Sequence, residues 1–433
     1  MPPAPSFDSR AALEAHQLAR LRELVAVVVP GNRFYSAKFH AAGVAGFDSL
    51  EQFAERLPFT TRQELNDDQL AHPPFGSNLT YALDRYTRIS TTSGTSRVPI
   101  RWLDTPESWS WMIGNWLRVY EAAGVTAADR VFVAFSFGPF LGFWVAFEAG
   151  VELGCLCIPG GGLRSAARLA AMIDTGATVL CCTPTYALRL AEVAAEENID
   201  LAASRVRTLI VGGEPGGGIP ATRARIEKLW GGVRLVDHHG MTEIGPVSYE
   251  CPKRRGVLHV IESSYFAEVI DAQSLKPVPP GTTGELVLTN LGRLGSPLLR
   301  YRTGDIVRPD AAGRCQCGSF DLAHPGGILG RTDDMVVIRG VKVYPSAVED
   351  IVRGCDGVAE YRVEVFSNGA LRELSLLVEP TPEQDPAELV RKVRSALDAA
   401  LGLRVDVSSV APGELPRFEL KAQRWIRTAK TAP

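Results

Sequence analysis

The middle of the chain alternates short apolar runs with longer, alanine-rich amphipathic segments. The runs Val131–Phe135, Val179–Cys182 and Leu209–Val211 have the length of buried strands, and a segment of helical character separates each from the next. This alternation predicts parallel strands connected by crossover helices. A fourth apolar run, Val233–Val236, ends the series and leads directly into polar residues.

The pattern before this region is different. Residues 8–70 have the spacing of amphipathic helices, with Ser9 as a predicted N-cap and Thr60–Thr61 at the start of a later helix. A polar loop is predicted over residues 77–84, and a strand over Tyr86–Ile89. This region therefore adds a helical segment in front of the strand–helix repeat.

The pattern after the repeat changes again. Short strands of alternating polarity predict a β-rich subdomain over about residues 250–325, and strands and helices then mix, with a helix from Pro386 to Leu401. We therefore predict the α/β fold class, with a large mixed α/β N-terminal domain over residues 1–330. A small α+β C-terminal domain is predicted over residues 331–433.

Composition narrows the range of partners. The 433 residues are 45% hydrophobic and 22% charged with a formal net charge of −3, so neither nucleic acid nor a membrane is an expected partner. The run Val131–Phe147 approaches the length of a membrane span, but Gly138 and Pro139 interrupt it. The start of the chain lacks a signal-peptide pattern, and the eight cysteines therefore favour a reducing cytoplasm over a disulfide framework.

The stretch Val236–Gly245, VDHHGMTEIG, places polar residues at the predicted carboxyl end of a strand, where open α/β sheets form a crevice. Gly240 allows close backbone approach, Thr242 offers a hydroxyl, and Glu243 offers a carboxylate suited to Mg²⁺. The alternative is a buried turn in which Thr242 and Glu243 act only as a capping pair.

Two further stretches could surround a nucleotide. Thr91–Arg97 is rich in hydroxyl and backbone donors for phosphate oxygens, although it does not match the P-loop pattern. The loop Gly212–Gly218 follows a predicted strand, and its glycines let the main chain lie against a flat ligand such as a purine. A solvated hydroxyl-rich loop and a flexible glycine loop are the alternatives.

Three later stretches carry charged residues in a polar context. Tyr301–Asp305, YRTGD, follows a predicted strand and presents a carboxylate that could accept the hydroxyls of a ribose, or it could be a type I turn. Gly330–Asp334 lies at the predicted domain boundary and could equally be a polar linker. Pro416–Lys421 carries a lysine of a kind that is ordinarily only solvated.

In their order and spacing, these stretches resemble the motifs of the adenylate-forming acyl-CoA synthetases, and most closely those of the phenylacetate–CoA ligase branch of aryl-CoA ligases. The resemblance covers about residues 85–425. It implies an enzyme with a mobile C-terminal domain that joins ATP and a carboxylic acid into an acyl-adenylate with release of pyrophosphate. Attack by the thiol of coenzyme A then gives a thioester and AMP.

The resemblance also implies roles for single residues. Lys421 would be catalytic together with Thr242 and Glu243, and a preorganised cation of this kind can supply on the order of 10²–10³ in rate. Glu243 would hold Mg²⁺, and Asp305 would bind the ribose hydroxyls. Asp333 would be the hinge about which the C-terminal domain rotates. The residues implied in nucleotide and coenzyme A binding are Thr92, Ser93, Gly94, Thr95, Gly213, Glu214, Pro215, Asp237, His238, His239, Thr242, Asp305, Arg331 and Gly340.

Two positions depart from the family pattern. Arg97-Val98 stands where the phosphate loop usually has Gly-Lys, which puts the handling of pyrophosphate in question. His239 stands where a tyrosine usually stacks on adenine, and an imidazole offers a smaller stacking area.

A phenylalanine-rich run precedes the loop Gly160–Gly162 and could form a flat apolar slot for an aryl ring, or it could simply pack in the core. The resemblance favours an aryl acid of the anthranilate, benzoate, hydroxybenzoate or phenylacetate type. The candidate substrate-binding residues are Phe135, Ser136, Phe137, Phe140, Gly161, Gly213, Gly240 and Met241.

Four residues that flank the predicted β-rich subdomain could hold a metal ion. Cys251, His259, Cys315 and Cys317 supply three sulfurs and one imidazole, a donor set of structural zinc sites. Free buried thiols are the alternative reading of this pattern. Relatives in the phenylacetate branch carry zinc at similar positions, so the resemblance implies one zinc ion per chain.

The expected activity is therefore aryl-acid–CoA ligation that uses ATP, Mg²⁺, coenzyme A and a small aryl carboxylic acid. One alternative is an adenylating enzyme that loads the thiol of a carrier protein. Another is a degenerate nucleotide-binding module without ligase activity, since Val98 replaces the usual lysine. Retention of Lys421, Glu243 and Asp305 argues against this last alternative.

Overall fold

The structure is a computed structural model that describes residues 5–92, 99–135, 137–368, 371–419 and 421–427. The predictions for Ser93, Gly94, Thr95 and Ser136 lie outside the described residues. The α-helices in the described part of the chain are α1 Arg10–Gly31, α2 Arg33–Ala41, α3 Leu50–Arg56, α4 Arg62–Ala71, α5 Pro106–Ala123, α6 Leu141–Leu153, α7 Ser165–Asp174, α8 Pro184–Glu196, α9 Pro220–Leu229, α10 Pro345–Arg353 and α11 Pro386–Leu401. The strands of the same residues are β1 Arg88–Thr91, β2 Arg101–Asp104, β3 Arg130–Val133, β4 Leu156–Pro159, β5 Val179–Cys182, β6 Thr208–Val211, β7 Arg234–Asp237, β8 Gly240–Met241, β9 Gly245–Pro246, β10 Ser248–Glu250, β11 Val257–Val260, β12 Tyr265–Ile270, β13 Gly284–Asn290, β14 Tyr301–Val307, β15 Ala323–Pro325, β16 Gly330–Arg331, β17 Val336–Ile338, β18 Val341–Val343, β19 Val358–Asn368, β20 Leu371–Pro380, β21 Asp406–Ser409 and β22 Trp425–Arg427.

A five-stranded parallel sheet forms the centre of the large N-terminal domain, in the order β4-β3-β5-β6-β7. Helices α6 to α9 connect its successive strands. β5 and β6 are buried at every position, which is the pattern of parallel strands covered on both faces. The strand–helix repeat predicted from the sequence is confirmed, with strand bounds within two residues of the predicted ones.

Antiparallel sheets follow the parallel one, in the orders β10-β11-β15 and β12-β13-β14-β16. These sheets lie in the region where the sequence predicts a β-rich subdomain, over about residues 250–325. The prediction that the stretch Tyr301–Asp305 follows a strand was wrong, because these residues are the first five of β14. Gly304 has a φ of +77° opposite a register shift between Glu285 and Val287. A bulge of this kind lets the strand continue through residues typical of turns.

The predicted strand Tyr86–Ile89 was wrong in its bounds. β1 begins at Arg88, and Arg88 pairs with Asp104 in an antiparallel hairpin with β2. The backbone N–H of Tyr86 instead closes a 3₁₀ turn by donating to Leu83, and its hydroxyl donates to the carbonyl of Gly295. Tyr86 is therefore held outside the hairpin by its own hydrogen bonds.

The N-terminal helices begin where their caps predict. The hydroxyl of Ser9 accepts a hydrogen bond of 3.1 Å from the backbone N–H of Ala12, and Thr61 and Glu64 form a capping box at the start of α4. Apolar side chains of α1 to α3 pack in a core of their own with two leucines of the β-rich subdomain, Leu291 and Leu299. The helical segment is thus packed directly on the subdomain.

The smaller C-terminal domain has a separate hydrophobic core that begins at Val336. Its sheet has the order β21-β20-β19-β22, in which β19 and β20 form an antiparallel hairpin with a parallel strand on each side. Helix α11 has the bounds predicted from the sequence. Helix α10 packs on α9 of the large domain, where the carboxylate of Asp350 accepts a hydrogen bond of 3.0 Å from the backbone N–H of Ala221. In the described part of the chain, no helix combines the length and apolar character needed to cross a bilayer.

Candidate active site

Two of the predicted motifs begin side by side at one edge of the parallel sheet. β6 ends at Val211 and β7 ends at Asp237, and these two residues are paired across the strands. A Cβ atom on Gly212 would lie 2.8 Å from the carbonyl oxygen of His238, so the two loops leave the sheet in close contact. The two motifs therefore lie together at the carboxyl end of the sheet, where the sequence predicts a crevice.

Asp305 is buried in this crevice on β14 and accepts two charge-assisted hydrogen bonds. Nε2 of His239 and a terminal nitrogen of Arg331 each lie 3.0 Å from one of its carboxylate oxygens. Burial raises the pKa of this carboxyl, but His239 and Arg331 outweigh that effect, and the pKa of Asp305 is lowered. Asp305 is therefore an ionised acceptor, and the imidazole of His239 is oriented by it.

Glu243 is nearly fully buried and lies next to two residues that the motif analysis did not single out for it. The hydroxyl of Tyr301 donates a hydrogen bond of 3.2 Å to its Oε1, and a guanidinium nitrogen of Arg62 lies 4.0 Å from the same oxygen. Its neighbour Thr242 is held through its carbonyl, which accepts a hydrogen bond of 2.8 Å from Arg293. The carboxylate is therefore fixed at the mouth of the crevice.

Arg293 is a buried residue that no sequence motif indicates. Its guanidinium is fully buried and makes a bidentate ion pair with Asp104, with nitrogen–oxygen distances of 2.7 and 2.6 Å. Because a planar fork matches a carboxylate, this pair fixes the direction of the third nitrogen towards Thr242. Arg293 therefore positions the loop that carries Glu243.

Lys421 reaches the same crevice from the C-terminal domain. Its Cε atom lies 3.8 Å from the position that a Cβ on Gly213 would occupy. Desolvation lowers the pKa of its amine, Arg331 lowers it further, and the carboxylates of Glu214, Glu243 and Asp305 oppose this. The lysine is therefore surrounded by the residues that the sequence predicted around a nucleotide. Part of its side chain is exposed to solvent.

The segment around Lys421 is attached to the large domain on both sides. Oε1 of Glu419 accepts a hydrogen bond of 2.9 Å from the hydroxyl of Ser165. Oε2 of Glu214 accepts one of 2.9 Å from the backbone N–H of Ala422, while its Oε1 accepts one of 3.0 Å from the backbone N–H of Thr185. The carboxylate of Glu214 thus bridges the two domains. The adjacent Pro215 is exposed.

Asp237 and His238 are both buried, and burial shifts the pKa of each towards its uncharged form. Burial raises the pKa of Asp237 to about 7, with a further contribution from Glu250. Burial lowers the pKa of His238 to about 3, and its Nδ1 donates a hydrogen bond of 2.7 Å to the carbonyl of Ser248. A neutral imidazole beside a half-protonated carboxyl suits recognition of an uncharged polar group. A Cβ on Gly217 would lie 2.3 Å from Asp237, so glycine is required there.

Thr92 is buried at the stem of the predicted phosphate loop. Its backbone N–H donates to Ile100, and its hydroxyl oxygen accepts hydrogen bonds from the backbone N–H of Ile100 at 3.0 Å and from Arg62 at 3.3 Å. The hydroxyl therefore closes the loop stem and touches Arg62.

The predicted acid slot is partly assembled in the described residues. Phe137 packs edge-on against Trp144 and Phe147, with ring centroids 4.8 and 5.5 Å apart. A Cβ on Gly161 would lie 2.9 Å from both the Phe135 carbonyl and the ring of Phe137, so this loop lies against the aromatic cluster. Trp144 was missed by the sequence analysis, although it stands in the same apolar run.

The other residues predicted for the acid slot differ in exposure and in the element that carries them. Phe135 is buried, whereas Phe140 is 39% exposed. Gly240 and Met241 form β8, which packs against α6, the helix that carries Trp144. β8 therefore connects the stretch Val236–Gly245 to the helix that carries Trp144.

Asp333 and Gly340 lie on the connection to the C-terminal domain. The carboxylate of Asp333 accepts a hydrogen bond of 2.9 Å from Arg331, and its carbonyl accepts one of 3.4 Å from Arg427. Gly340 has a φ of +87° at the turn between β17 and β18, next to Arg339 with a φ of +47°. Gly340 is exposed and lies on the C-terminal side of the connection.

The four candidate metal ligands meet at one point at the edge of the β-rich subdomain. The ligand atoms of Cys251, His259, Cys315 and Cys317 all lie within 4.8 Å of one another. The sulfurs of Cys251 and Cys315 are 3.7 Å apart, and the sulfur of Cys317 is 3.6 Å from Nε2 of His259. Nδ1 of His259 donates to the carbonyl of Asp321 at 2.9 Å, which leaves Nε2 facing the sulfurs. All four residues are therefore brought together as the sequence predicted.

Comparison with protein families matches both domains. Residues 103–292 match the AMP-binding enzyme family, and residues 340–428 match the AMP-binding enzyme C-terminal domain. The phenylacetate-coenzyme A ligase of Thermus thermophilus is 32% identical over 436 residues, which cover 95% of each chain. That of Escherichia coli is 29% identical, with 95% of this chain and 94% of the relative covered.

Solved structures share the fold and, in one state, the arrangement of the domains. A 2-hydroxyisobutyryl-CoA ligase in the postadenylation state, with bound R3-HIB-AMP, is 28% identical and gives a TM-score of 0.93 over 99% of this chain and 94% of that one. The same ligase with 2-HIB-AMP and CoA in its thioesterification state gives 0.74 at the same identity and coverage. The domains here are therefore arranged more like those of the postadenylation state. With relatives at this identity along its whole length, the chain belongs to the adenylate-forming AMP-binding enzymes and, among them, to the phenylacetate–coenzyme A ligase family of ATP-dependent acid–CoA ligases.

Proposed function

We propose that the chain is an aryl-acid–CoA ligase. An oxygen of the aryl carboxylate attacks the α-phosphorus of ATP, the bond to pyrophosphate breaks, and an aryl-adenylate results. The thiol of coenzyme A then attacks the acyl carbon, loses its proton, and displaces AMP. The observation that carries this proposal is that Lys421 of the C-terminal domain lies against Gly213 of the large domain, where the carboxylates of Glu243 and Asp305 raise the pKa of its amine.

Lys421 is the proposed catalytic cation. Negative charge concentrates between the acid and the α-phosphate as the new bond forms, and a positioned amine stabilises it at that point. Lowering of the pKa of this amine by desolvation indicates that much of its water shell has been replaced by protein. Charges act more strongly in such surroundings than in bulk water.

Glu243 and Asp305 suit two parts of a magnesium nucleotide, the metal ion and the ribose. The buried carboxylate of Glu243 can bind Mg²⁺, which prefers oxygen ligands, and the ion would neutralise phosphate charge. The ionised carboxylate of Asp305 can accept both ribose hydroxyls, with Arg331 beside it. Thr242 is proposed to contact the α-phosphate. Asp237 and His238 are proposed to lie on the adenine side with Gly213 and Pro215.

The role that we propose for His239 goes beyond stacking on adenine. Its ring is held by Asp305 at 3.0 Å, so it can present a face to adenine only in the plane that this hydrogen bond allows. We propose that His239 both orients Asp305 and contacts the base.

The proposed acid site is the aromatic cluster of Phe137, Trp144 and Phe147, with Gly161 and Met241 at its edges. Flat aromatic walls favour an aryl ring, and the names of the ligases from Thermus thermophilus and Escherichia coli point to phenylacetate. A second candidate is a small branched hydroxy acid, because the ligase with a TM-score of 0.93 is named for 2-hydroxyisobutyrate.

We place the domain boundary between residues 330 and 331 and the hinge at Asp333. The separate core from Val336 onward supports rotation of the C-terminal domain as a rigid unit. The drop in TM-score between two states of one relative supports the same motion. Rotation would withdraw Lys421 and bring Gly340 to the thiol entrance for the second step.

We also propose one structural zinc ion at Cys251, His259, Cys315 and Cys317. In a tetrahedral site with Zn–S bonds of about 2.3 Å, neighbouring sulfurs are about 3.8 Å apart. The observed 3.7 Å between two sulfurs and 3.6 Å from sulfur to imidazole suit this geometry. The hydrogen bond from His259 to Asp321 fixes the tautomer that a metal needs. The zinc ion would stabilise the fold and would take no part in catalysis.

The experiment that tests the proposed function is acid-dependent ATP–pyrophosphate exchange with a panel of substituted benzoates, phenylacetates and 2-hydroxyisobutyrate. Exchange driven by aryl acids, followed by thioester formation with coenzyme A, is expected. A carrier-protein thiol in place of coenzyme A tests the alternative acceptor. Exchange with none of the aryl acids would contradict the proposal, and exchange with only 2-hydroxyisobutyrate would favour the second candidate. The cytoplasm is the proposed location, in keeping with eight unpaired thiols.

A further inference from the structure

We infer that Arg62, the first residue of α4, is the cation that binds the β- and γ-phosphates of ATP and the departing pyrophosphate. The inference rests on the proposed function, because it assumes that the nucleotide lies beside Glu243. In the phosphate loop Val98 stands in place of the usual lysine, so another cation is needed to bind pyrophosphate. Arg97, which precedes Val98, lies outside the described residues.

The guanidinium of Arg62 lies between Thr92 and Glu243. One terminal nitrogen donates a hydrogen bond of 3.3 Å to the hydroxyl of Thr92, which closes the stem of the phosphate loop. The other lies 4.0 Å from Oε1 of Glu243, the proposed Mg²⁺ ligand. Arg62 thus spans the two groups between which the metal-bound end of the triphosphate would lie.

The backbone two residues before Arg62 is hydrogen-bonded at β14, the strand that carries Asp305. The N–H of Thr60 donates to the carbonyl of Arg300 and its carbonyl accepts from the N–H of Arg302, both at 2.9 Å. Thr60 forms a parallel bridge with Tyr301, the same residue whose hydroxyl donates to Glu243. A side chain two residues beyond such a bridge has a defined place, as a substrate-binding group requires.

The positive charge of Arg62 lies beside the carboxylate of Glu243. The side chain of Arg62 is 30% exposed while that of Glu243 is 6% exposed, so the arginine of this pair is the one that a ligand in solvent can reach. At 4.0 Å the pair lacks the short, bidentate geometry of the structural pair between Arg293 and Asp104. When Glu243 binds Mg²⁺, the metal supplies its positive partner. The guanidinium fork of Arg62 can then bind phosphate oxygens, whose geometry it matches.

The test uses the full chain with Arg62→Met, which keeps the length of the side chain and removes its charge. The probes are MgATP, AMP and inorganic pyrophosphate. Loss of a charge-assisted contact to phosphate should raise the Kd for MgATP and the KM for pyrophosphate roughly 10- to 100-fold. The Kd for AMP should change by less than about twofold, because AMP lacks the phosphates involved. Thioester formation from supplied adenylate and coenzyme A should be unchanged, since pyrophosphate has left by then.

Two further variants make the result specific. Arg56→Met removes one charge from an exposed position on α3 and should change none of these values. Arg62→Lys keeps the charge but loses the fork, and should raise the Kd for MgATP by roughly threefold while leaving that for AMP unchanged. If Arg62→Met does not fold, as shown by its melting curve, Arg62→Lys carries the test alone.

An equal loss of ATP and AMP affinity in the variants would mean that Arg62 only supports the fold, and would overturn the inference. Unchanged ATP and pyrophosphate constants would overturn it as well. In both cases a wild-type enzyme that still catalyses acid-dependent exchange would leave the proposed function intact. A wild-type enzyme that binds no ATP and exchanges with no acid would instead contradict the proposed function itself.

Discussion

The backbone N–H of Ala422 donates a hydrogen bond of 2.9 Å to the carboxylate of Glu214, across the boundary between the two domains. The other oxygen of the same carboxylate is taken by the backbone N–H of Thr185. Each oxygen of this carboxylate therefore accepts a backbone hydrogen bond, one from the large domain and one from the segment that carries Lys421. Glu214 acts as a positioning residue for Lys421 in this arrangement of the domains.

Glu214→Gln is expected to slow adenylate formation by about tenfold, because one acceptor oxygen becomes an NH₂ group that faces a backbone N–H. Thioester formation from supplied adenylate should be unaffected or faster, since that step needs the opposite arrangement of the domains. Separate assays of the two half-reactions measure this. Glu196→Gln on the exposed end of α8 is the matched control. Equal slowing of both half-reactions would show that Glu214 supports only the fold.

Lys421→Ala is expected to lower the rate of adenylate formation by on the order of 10²–10³, through loss of the cation at the reacting oxygens. Thioester formation from supplied adenylate should change by less than about threefold, because the amine has left the crevice in that step. Lys392→Ala, a change at an exposed lysine of the same domain, is the control and should affect neither half-reaction. Parallel loss of both half-reactions in Lys421→Ala would contradict rotation of the C-terminal domain.

Protein purified without added metal is expected to contain about one zinc ion per chain. Removal of the ion by a chelator, or Cys317→Ser, should lower the Tm by roughly 10 °C, because unpaired thiols would be left at one point of the subdomain. Metal analysis and thermal melting measure these changes. Cys355→Ser, at a cysteine of the C-terminal core whose thiol donates to the carbonyl of Ile351, should leave the zinc content unchanged. Purified protein without zinc would remove the site.

The carboxyl of Asp237 should make the unliganded protein less stable as the pH rises. Its pKa of about 7 in the fold lies above the unfolded value of 3.8, so the folded chain binds the extra proton between these values. The stabilisation is complete below pH 3.8 and is lost as the pH passes 7, with an upper limit of roughly 4 kcal/mol. Asp237→Asn should remove this slope. Urea unfolding of both proteins at pH 5 and pH 8 measures it, and identical slopes would refute the assignment.

Local sequence signals predicted much of the fold because they depend on neighbouring residues. The bounds of α11 follow from Asp385 as N-cap, Pro386 at its start and Gly402 in the left-handed conformation after its end. β5 was likewise found from its apolar run alone. Where local chemistry misled, as at Tyr301–Asp305, a long-range strand pairing had overridden the turn preference of Gly304.

The candidate site was predicted only in part, for the same reason. Motifs identified Lys421, Glu243 and Asp305, and in the structure both carboxylates act on the pKa of the Lys421 amine. Nothing near Arg62 or Arg293 in the sequence indicates their partners, because each contact joins segments separated by many residues along the chain. An arginine beside a helix start is ordinarily solvated, and only the folded chain reveals which carboxylate it meets.

The bridge between Thr60 and Tyr301 has a consequence for the order in which the protein assembles. It pairs segments about 240 residues apart, and loop closure of this length is a late event in folding. The parallel sheet can collapse earlier, since its strands are joined by short local crossovers. During synthesis the nucleotide crevice would therefore remain open until β14 has emerged from the ribosome. Intermediates that stall before that stage would expose the apolar faces of α1 to α3 to chaperones.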